Sequence, residues 1–334
     1  MDSLVKLGAG PGQMALVERA EPRATPGHVV VDVAATGVCG TDLHIAGGEY
    51  AVEPGVTLGH ELCGVVAEVG DQVDPKWIGR TVVAETFFST CGHCVNCRDG
   101  RPNLCPERRS IGTHVDGAFA AKVLLPAGNL HLLPEGVDPR AATLAEPLAC
   151  VCNCLLDPSV VEPGDRVLVT GPGAIGLLAA ELANLTGKEV TVAGLPADDA
   201  RLAIARELGL GTVHVDELEE SREFDVAIES SGAPAALGEC LAHLRRGGRL
   251  AQIGIFGTPV TVTFDSMLLK EIGVTASFAS TPRSWRRAMA LIESGAVALE
   301  PLVTKVLPLA SWGLAFEGGN DGDVKIVLDP RERV

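Results

Sequence analysis

The stretch RVLVTGPGAIG at Arg166–Gly176 narrows the possible folds of this 334-residue chain more than any other. Arg166 to Thr170 is a β-branched run of strand length, Gly171 to Gly176 is a glycine turn, and Ala174 to Leu185 carries an apolar helical pattern. The alternation continues downstream. Glu189–Ala193 reads as a strand, Asp199–Gly209 as an amphipathic helix, Thr212–Val215 and Phe224–Glu229 as strands, Pro234–Leu244 as a helix and Arg249–Ile253 as a fifth strand. Such alternation requires right-handed crossovers and a parallel sheet covered on both faces.

Upstream the texture differs. Val29–Ala35, Cys63–Val69, Arg80–Glu85 and Ala118–Leu125 are short β-branched runs punctuated by Gly, Pro and Asp. After Ile272–Phe278 the tail is mixed, with a helix near Ser284–Glu293 and a last strand near Val324–Leu328. The length suits two cores. The expected organisation is α/β: a mostly-β domain from residues 1–150 and 279–334, and a doubly wound parallel-sheet domain from 151–278.

A strand followed by Gly171-x-Gly173-x-x-Gly176 and a helix is the setting of a dinucleotide fingerprint. Gly171, Gly173, Ala174, Ile175 and Gly176 are therefore candidate cofactor-binding residues, the pyrophosphate being met by the helix N-terminus. The acid that holds the ribose hydroxyls is expected about 20 residues on, where Gly194 stands. Asp198 and Asp199 follow and could partly substitute, while Arg201 could pair with a 2′-phosphate. NAD and NADP both stay open.

Cys91, Cys94, Cys97 and Cys105 form C-x2-C-x2-C-x7-C among Gly92, Gly100 and Pro102. Four thiolates on one short lobe suit tetrahedral zinc with no vacancy, hence a structural ion. Iron–sulfur clusters use the same ligands, and bare thiols in so compact a loop would invite oxidation. A second constellation joins Cys39 of VCGTDLH, His60 and Glu61 of GHE, and Glu146 of AEPL. Singly each has an ordinary reading as a core or surface residue. Together they make a mixed sulfur, nitrogen and oxygen shell, of the kind that leaves one position open. Cys150, Cys152 and Cys154 alternate on a helix and so do not share a face; they read as packing residues.

Lys and Arg number 27 against 43 Asp and Glu, a net charge of -16 that disfavours nucleic acid and anionic membranes as partners. No run of about 18 apolar residues suggests a membrane span. The first ten residues lack a signal-like apolar core, and the ten cysteines fit a reducing compartment, so a cytoplasmic location is expected.

In this order and spacing, C-G-T-D-x-H, G-H-E, the four-cysteine lobe, E-P-L and G-P-G-A-I-G resemble the zinc-dependent medium-chain alcohol dehydrogenases over essentially the whole chain, with the sorbitol and threonine dehydrogenase branch nearest in pattern. The resemblance implies a GroES-like catalytic domain beside a Rossmann domain, one catalytic and one structural zinc, and NAD or NADP. It implies Cys39, His60 and Glu61 as catalytic zinc ligands, with Glu146 binding directly or through water. It further implies Thr41 as the hydroxyl touching the reacting oxygen, His44 as the imidazole passing its proton to solvent, and Asp42 as the acid behind the zinc histidine. The substrate would be a secondary alcohol of polyol, cyclitol or sugar-derived type, giving the ketone, with a β-hydroxy amino acid or an inactive structural relative as the other readings. Homo-oligomers, tetramer or dimer, are expected. The Arg-Tyr pair of sorbitol dehydrogenases does not follow Phe278, where Ala279 and Ser280 stand.

Overall fold

A computed structural model describes residues 1–219, 221–317 and 322–332. The main elements begin with β1 (His28–Gly37), α1 (Gly40–Gly47), β2 (Glu61–Val69), β3 (Thr81–Ala84), β4 (Lys122–Pro126), β5 (Leu130–Leu132) and α2 (Ala145–Leu156). There follow β6 (Arg166–Thr170), α3 (Ala174–Asn184), β7 (Glu189–Gly194), α4 (Asp199–Glu207), β8 (Gly211–His214), β9 (Phe224–Glu229) and α5 (Pro234–His243). The chain closes with β10 (Leu244–Gln252), α6 (Phe264–Lys270), β11 (Gly273–Ala276), α7 (Pro282–Ser294), β12 (Val303–Pro308) and β13 (Lys325–Asp329). Among the described residues no helix is long and apolar enough to cross a membrane.

These elements form two compact units. The first holds residues 1–146 with β12 and β13, and the second holds residues 147–302 with Gly322, Asp323 and Val324. In the first unit the main sheet runs β5-β3-β2-β1-β13-β12, with β4 also pairing β1. Strand β1 is central: it lies antiparallel to β2, setting Gly37 opposite Glu61, and antiparallel to β13, setting Gly37 opposite Val327. Val29, Val31 and Val33 of β1 join Leu62 and Val66 of β2 in one core, the every-second-residue pattern of a pleated strand.

In the second unit the sheet runs β8-β7-β6-β9-β10-β11, all neighbours parallel. The order reverses between β6 and β9, so the loops leaving these two strands flank the switch point where such sheets bind ligands. The mostly-β and doubly wound architectures are both those expected from the sequence. The second crossing falls at 302/303 rather than at 279. Residues 279–302 belong to the second unit because its interior holds them. Asn153 Nδ2 donates to Ser277 Oγ and to the Ala279 carbonyl, each at 2.9 Å, and Trp285 is fully buried with its Nε1 on Ser280 Oγ. An amphipathic pattern names the face that α7 buries but not the core that receives it.

The same segment is tied to α3 by the Ala298 N–H, which donates to Glu181 Oε1 at 2.8 Å, while Glu181 Oε2 is buried without a hydrogen-bond partner among the described residues. Burial pushes the Glu181 carboxyl up to about 7 from an ordinary 4.5, against the Ala298 N–H, which favours the charged form. A raised carboxyl stabilises fully below the unfolded value and loses that contribution as pH climbs through the folded one. Glu181→Gln should therefore raise the melting temperature at pH 8 and leave it nearly unchanged at pH 4. Equal effects at both pH values would refute the assignment.

Candidate active site

Strand β1 ends at Gly37 and delivers Cys39 as the N-cap of α1, while Gly59-His60 leads into β2, whose first residue is Glu61. The β1–β2 pairing thus sets Cys39, His60 and Glu61 side by side, their ligand atoms all within 4.8 Å of one another. Glycine is required next to them. A β-carbon on Gly37 would lie 2.2 Å from Glu61 Oε2, and Gly59, at φ +90, would drive one to 2.5 Å from the Phe119 ring.

Asp42 ties two members of the cluster together. Its Oδ2 accepts the Cys39 N–H at 3.0 Å, and its Oδ1 stands 3.7 Å from His60 Nδ1, too long for a hydrogen bond but close enough to fix which ring nitrogen faces away. Both of those facing atoms are buried without a hydrogen-bond partner among the described residues. Burial raises the Asp42 carboxyl despite His60 and the Cys39 N–H. Burial would depress His60, yet Asp42, Cys39 and Glu146 together hold it well above the usual imidazole range. A pocket that draws a proton this strongly onto its histidine suits a cation, and its thiol, imidazole and carboxylate are a zinc donor set.

Glu146, buried in the first turn of α2, is close enough to act electrostatically on His60 and Lys325, yet it lies outside the 4.8 Å group. Thr41 sits half-buried in the first turn of α1. His44 lies one turn later, its Nδ1 2.6 Å from Oε2 of the exposed Glu49, an open route for a proton to water.

Lys325 is the residue that motif reading misses. It opens β13, is buried, and donates to Glu61 Oε2 at 2.6 Å, Glu61 Oε1 at 2.9 Å and the Val38 carbonyl at 3.0 Å. Burial alone would lower its pKa, but Glu61 first and then Cys39 and Glu146 raise it above the usual lysine value, so it stays charged. Its sequence signal is one lysine ahead of the apolar run Ile326-Val327-Leu328.

The four-cysteine lobe gathers its sulfurs around one centre. Cys91 Sγ lies 3.6 Å from Cys105 Sγ and 4.0 Å from Cys97 Sγ. A tetrahedron of bonds about 2.3 Å long has edges of about 3.8 Å, so these separations fit four thiolates on one zinc. The backbone is arranged for thiolates: the N–H groups of Cys91, Cys94 and Cys97 point at Cys105, Cys91 and Cys94 sulfurs. N–H donors of His93 and Cys94 bring the Cys91 thiol down to about 6. Cys152 and Cys154 are buried as expected of packing residues, and burial pushes both thiols up to about 12.

In the second unit the glycine turn divides its labour. Gly171 has φ +91 and a β-carbon there would meet Ser231 at 2.7 Å, while one on Gly176 would lie 1.9 Å from the Gly171 carbonyl. A β-carbon on Gly173 would meet nothing within 4 Å, so the protein leaves open the side where a pyrophosphate approaches. No acid occupies the first turn of α3. Gly194 closes β7, and Arg201 pairs with Asp198 at 3.1 Å. Glu229, invisible as a motif, is fully buried at the end of β9. It accepts from the N–H of Ser231 and of Gly232 and from Gln252 Nε2, shaping the loop that packs against Gly171.

Residues 25–135 match the family described as alcohol dehydrogenase GroES-like domain, and residues 174–294 the family described as zinc-binding dehydrogenase. A sorbitol dehydrogenase of Halalkalibacterium halodurans is 39% identical over 342 residues, covering 99% of each chain. A D-arabitol-phosphate dehydrogenase of Enterococcus avium is 35% identical over 348 residues, again covering 99% of each. The solved structure of a zinc-binding dehydrogenase from Sinorhizobium meliloti 1021 bound to NADP matches with a TM-score of 0.89 at 31% identity, over 98% of this chain and 99% of that one. By sequence and by fold, this chain belongs to the zinc-dependent medium-chain alcohol dehydrogenase superfamily.

Proposed function

We propose that this chain interconverts a secondary alcohol of the polyol, cyclitol or sugar-derived kind and its ketone, with NAD or NADP as the hydride partner and zinc at Cys39, His60 and Glu61. The cluster of those three ligand atoms within 4.8 Å carries the reading. One thiolate, one imidazole and one carboxylate form a shell of the catalytic kind, which keeps a place for substrate. The polyhydroxy substrates named for the sorbitol and arabitol-phosphate relatives support the substrate class.

Bound there, zinc supplies a Lewis acid that lowers the pKa of a carbinol oxygen towards neutrality. The protein does the rest. Thr41 Oγ1 would accept the alcohol proton as its own hydroxyl proton passes on towards His44, which releases a proton to water from a ring whose Nδ1 is held by Glu49. Asp42 fixes the face of the His60 imidazole, and Glu146 serves as a further carboxylate whose contact depends on the state of the site. In the second unit Gly171, Gly173, Ala174, Ile175 and Gly176 hold the pyrophosphate with backbone N–H groups at the N-terminus of α3. Cys91, Cys94, Cys97 and Cys105 hold a second, structural zinc that rigidifies their lobe. The enzyme works as a homo-oligomer, tetramer or dimer, in the cytoplasm.

Metal analysis should find two zinc ions per chain, and Cys39→Ser should reduce this to one. The same variant should lose more than about a hundredfold in turnover, since loss of even an outer partner of a metal site costs 10–100-fold, while dinucleotide binding persists. Oxidation of a panel of polyols, cyclitols, β-hydroxy amino acids and simple secondary alcohols, followed as reduced nicotinamide, supplies the turnover. Unchanged turnover in Cys39→Ser would sink the zinc assignment.

Lys325 keeps Glu61 in place by charge. Lys325→Met should cost about 3–5 kcal/mol in denaturant unfolding of the metal-free protein, the usual penalty for stranding a buried charge. Adding Glu61→Gln should return most of that loss, and no recovery in the double variant would show that Lys325 acts through packing alone.

A further inference from the structure

Strand β7 ends at Gly194, so the position from which an acid ordinarily reads the ribose has no side chain. A side chain there would be crowded. A β-carbon on Gly194 would lie 3.1 Å from Pro172 Cγ in the glycine turn, 3.2 Å from Asp198 Cβ and 3.3 Å from Leu202 Cδ2. Asp198 thus begins 3.2 Å from the place where a strand-end acid would begin, beside the phosphate turn.

Asp198 is held there from two sides. Its Oδ2 accepts the Leu195 N–H at 3.0 Å, and its Oδ1 accepts from Arg201 NH1 at 3.1 Å. Arg201 is held in turn, its Nε donating to the Asp323 carbonyl at 3.0 Å. His214, which lies opposite Gly194 in the β7–β8 pairing, is bonded to Asp199 at 2.8 Å with Glu217 at 3.9 Å. Among the described residues, Arg201 and His214 near this strand end thus each already face a carboxylate.

We propose that Asp198 replaces the strand-end acid as the group that recognises the ribose hydroxyls, and that it makes the site selective for NAD over NADP. This rests on the dinucleotide site proposed above. Each Asp198 oxygen has a second lone pair with which to accept a hydroxyl proton. A 2′-phosphate offers no donor and carries nearly two negative charges against that carboxylate. Arg201, which the sequence suggested as a phosphate ligand, is instead a positioning residue that aims Asp198.

The test is equilibrium binding, independent of turnover: fluorescence titration of the whole protein with NADH and with NADPH, for wild type, Asp198→Asn and Arg201→Gln, with melting curves to show that each is folded. Wild type should bind NADH at least about tenfold more tightly than NADPH, the worth of one or two hydrogen bonds to a charged acceptor. Asp198→Asn should weaken NADH about tenfold and narrow the ratio, whereas Arg201→Gln should not weaken NADPH. Equal or tighter NADPH binding by wild type, or a loss of NADPH affinity confined to Arg201→Gln, overturns the proposal while leaving the dinucleotide site intact. Binding of neither nucleotide overturns the site and this proposal with it. If Asp198→Asn does not fold, the wild-type ratio and Arg201→Gln still decide.

Discussion

A fully buried carboxylate needs a partner, and Glu61 finds it in Lys325, 264 positions away in sequence. Removing two charges from water costs several kcal/mol per ion, so the pair holds only if geometry and further hydrogen bonds are good. Here Lys325 reaches both Glu61 oxygens and the carbonyl of Val38, which lies between β1 and Cys39. That requirement places β13 against β1 and β1 against β2. The candidate metal ligands come from two places, the junction of β1 with α1 and the start of β2, and the C-terminal tail is as much a part of their support as the loops that bear them.

The same economy of space appears in both units. Gly37 leaves room for Glu61, and Gly176 lets the start of α3 close on the Gly171 carbonyl. In each case the absence of one carbon sets how near a polar group can come to a backbone. Asp42 shows the complementary device. One side chain touches the Cys39 N–H and faces His60, so two ligands from different elements move as one.

Much of this was legible in the residues. Cysteine spacing, the G-H-E pair and a glycine turn between a strand and a helix are local patterns, and local patterns survive folding. What escaped were long-range facts. Lys325 looks like any lysine on a strand, because period-two alternation tells which face a residue shares but not that the face is buried against an acid. The helix at 282–294 has a clear apolar face, yet it is the bonds flanking it, Asn153 to the Ala279 carbonyl and the Ala298 N–H to Glu181, that show which core it joins. Helix α6 was not foreseen, and its Phe264, Leu268 and Leu269 are exposed, so its apolar residues do not mark a face turned to a core. Arg201 looked available to an anion because the Asp323 carbonyl that holds its Nε comes from a segment far along the chain.

The net charge of -16 and a site for an anionic dinucleotide are compatible once the source of the attraction is located. In the second unit the phosphate turn offers glycine backbone and the first turn of α3, which carries no acid, so pyrophosphate is met by N–H dipoles that the overall charge does not cancel. Dipoles act over short range, and a Debye length of about 8 Å screens the more distant acids. Beside that turn the situation inverts, since Asp198 and Asp199 stand there as carboxylates and the side chains facing them, Arg201 and His214, are already engaged. A phosphate therefore finds favourable ground at Gly173 and unfavourable ground beside Gly194, and two anionic groups of one cofactor would experience opposite local fields. Discrimination between a ribose hydroxyl and a ribose phosphate then needs no dedicated pocket, only the placement of one carboxylate four residues beyond the end of a strand.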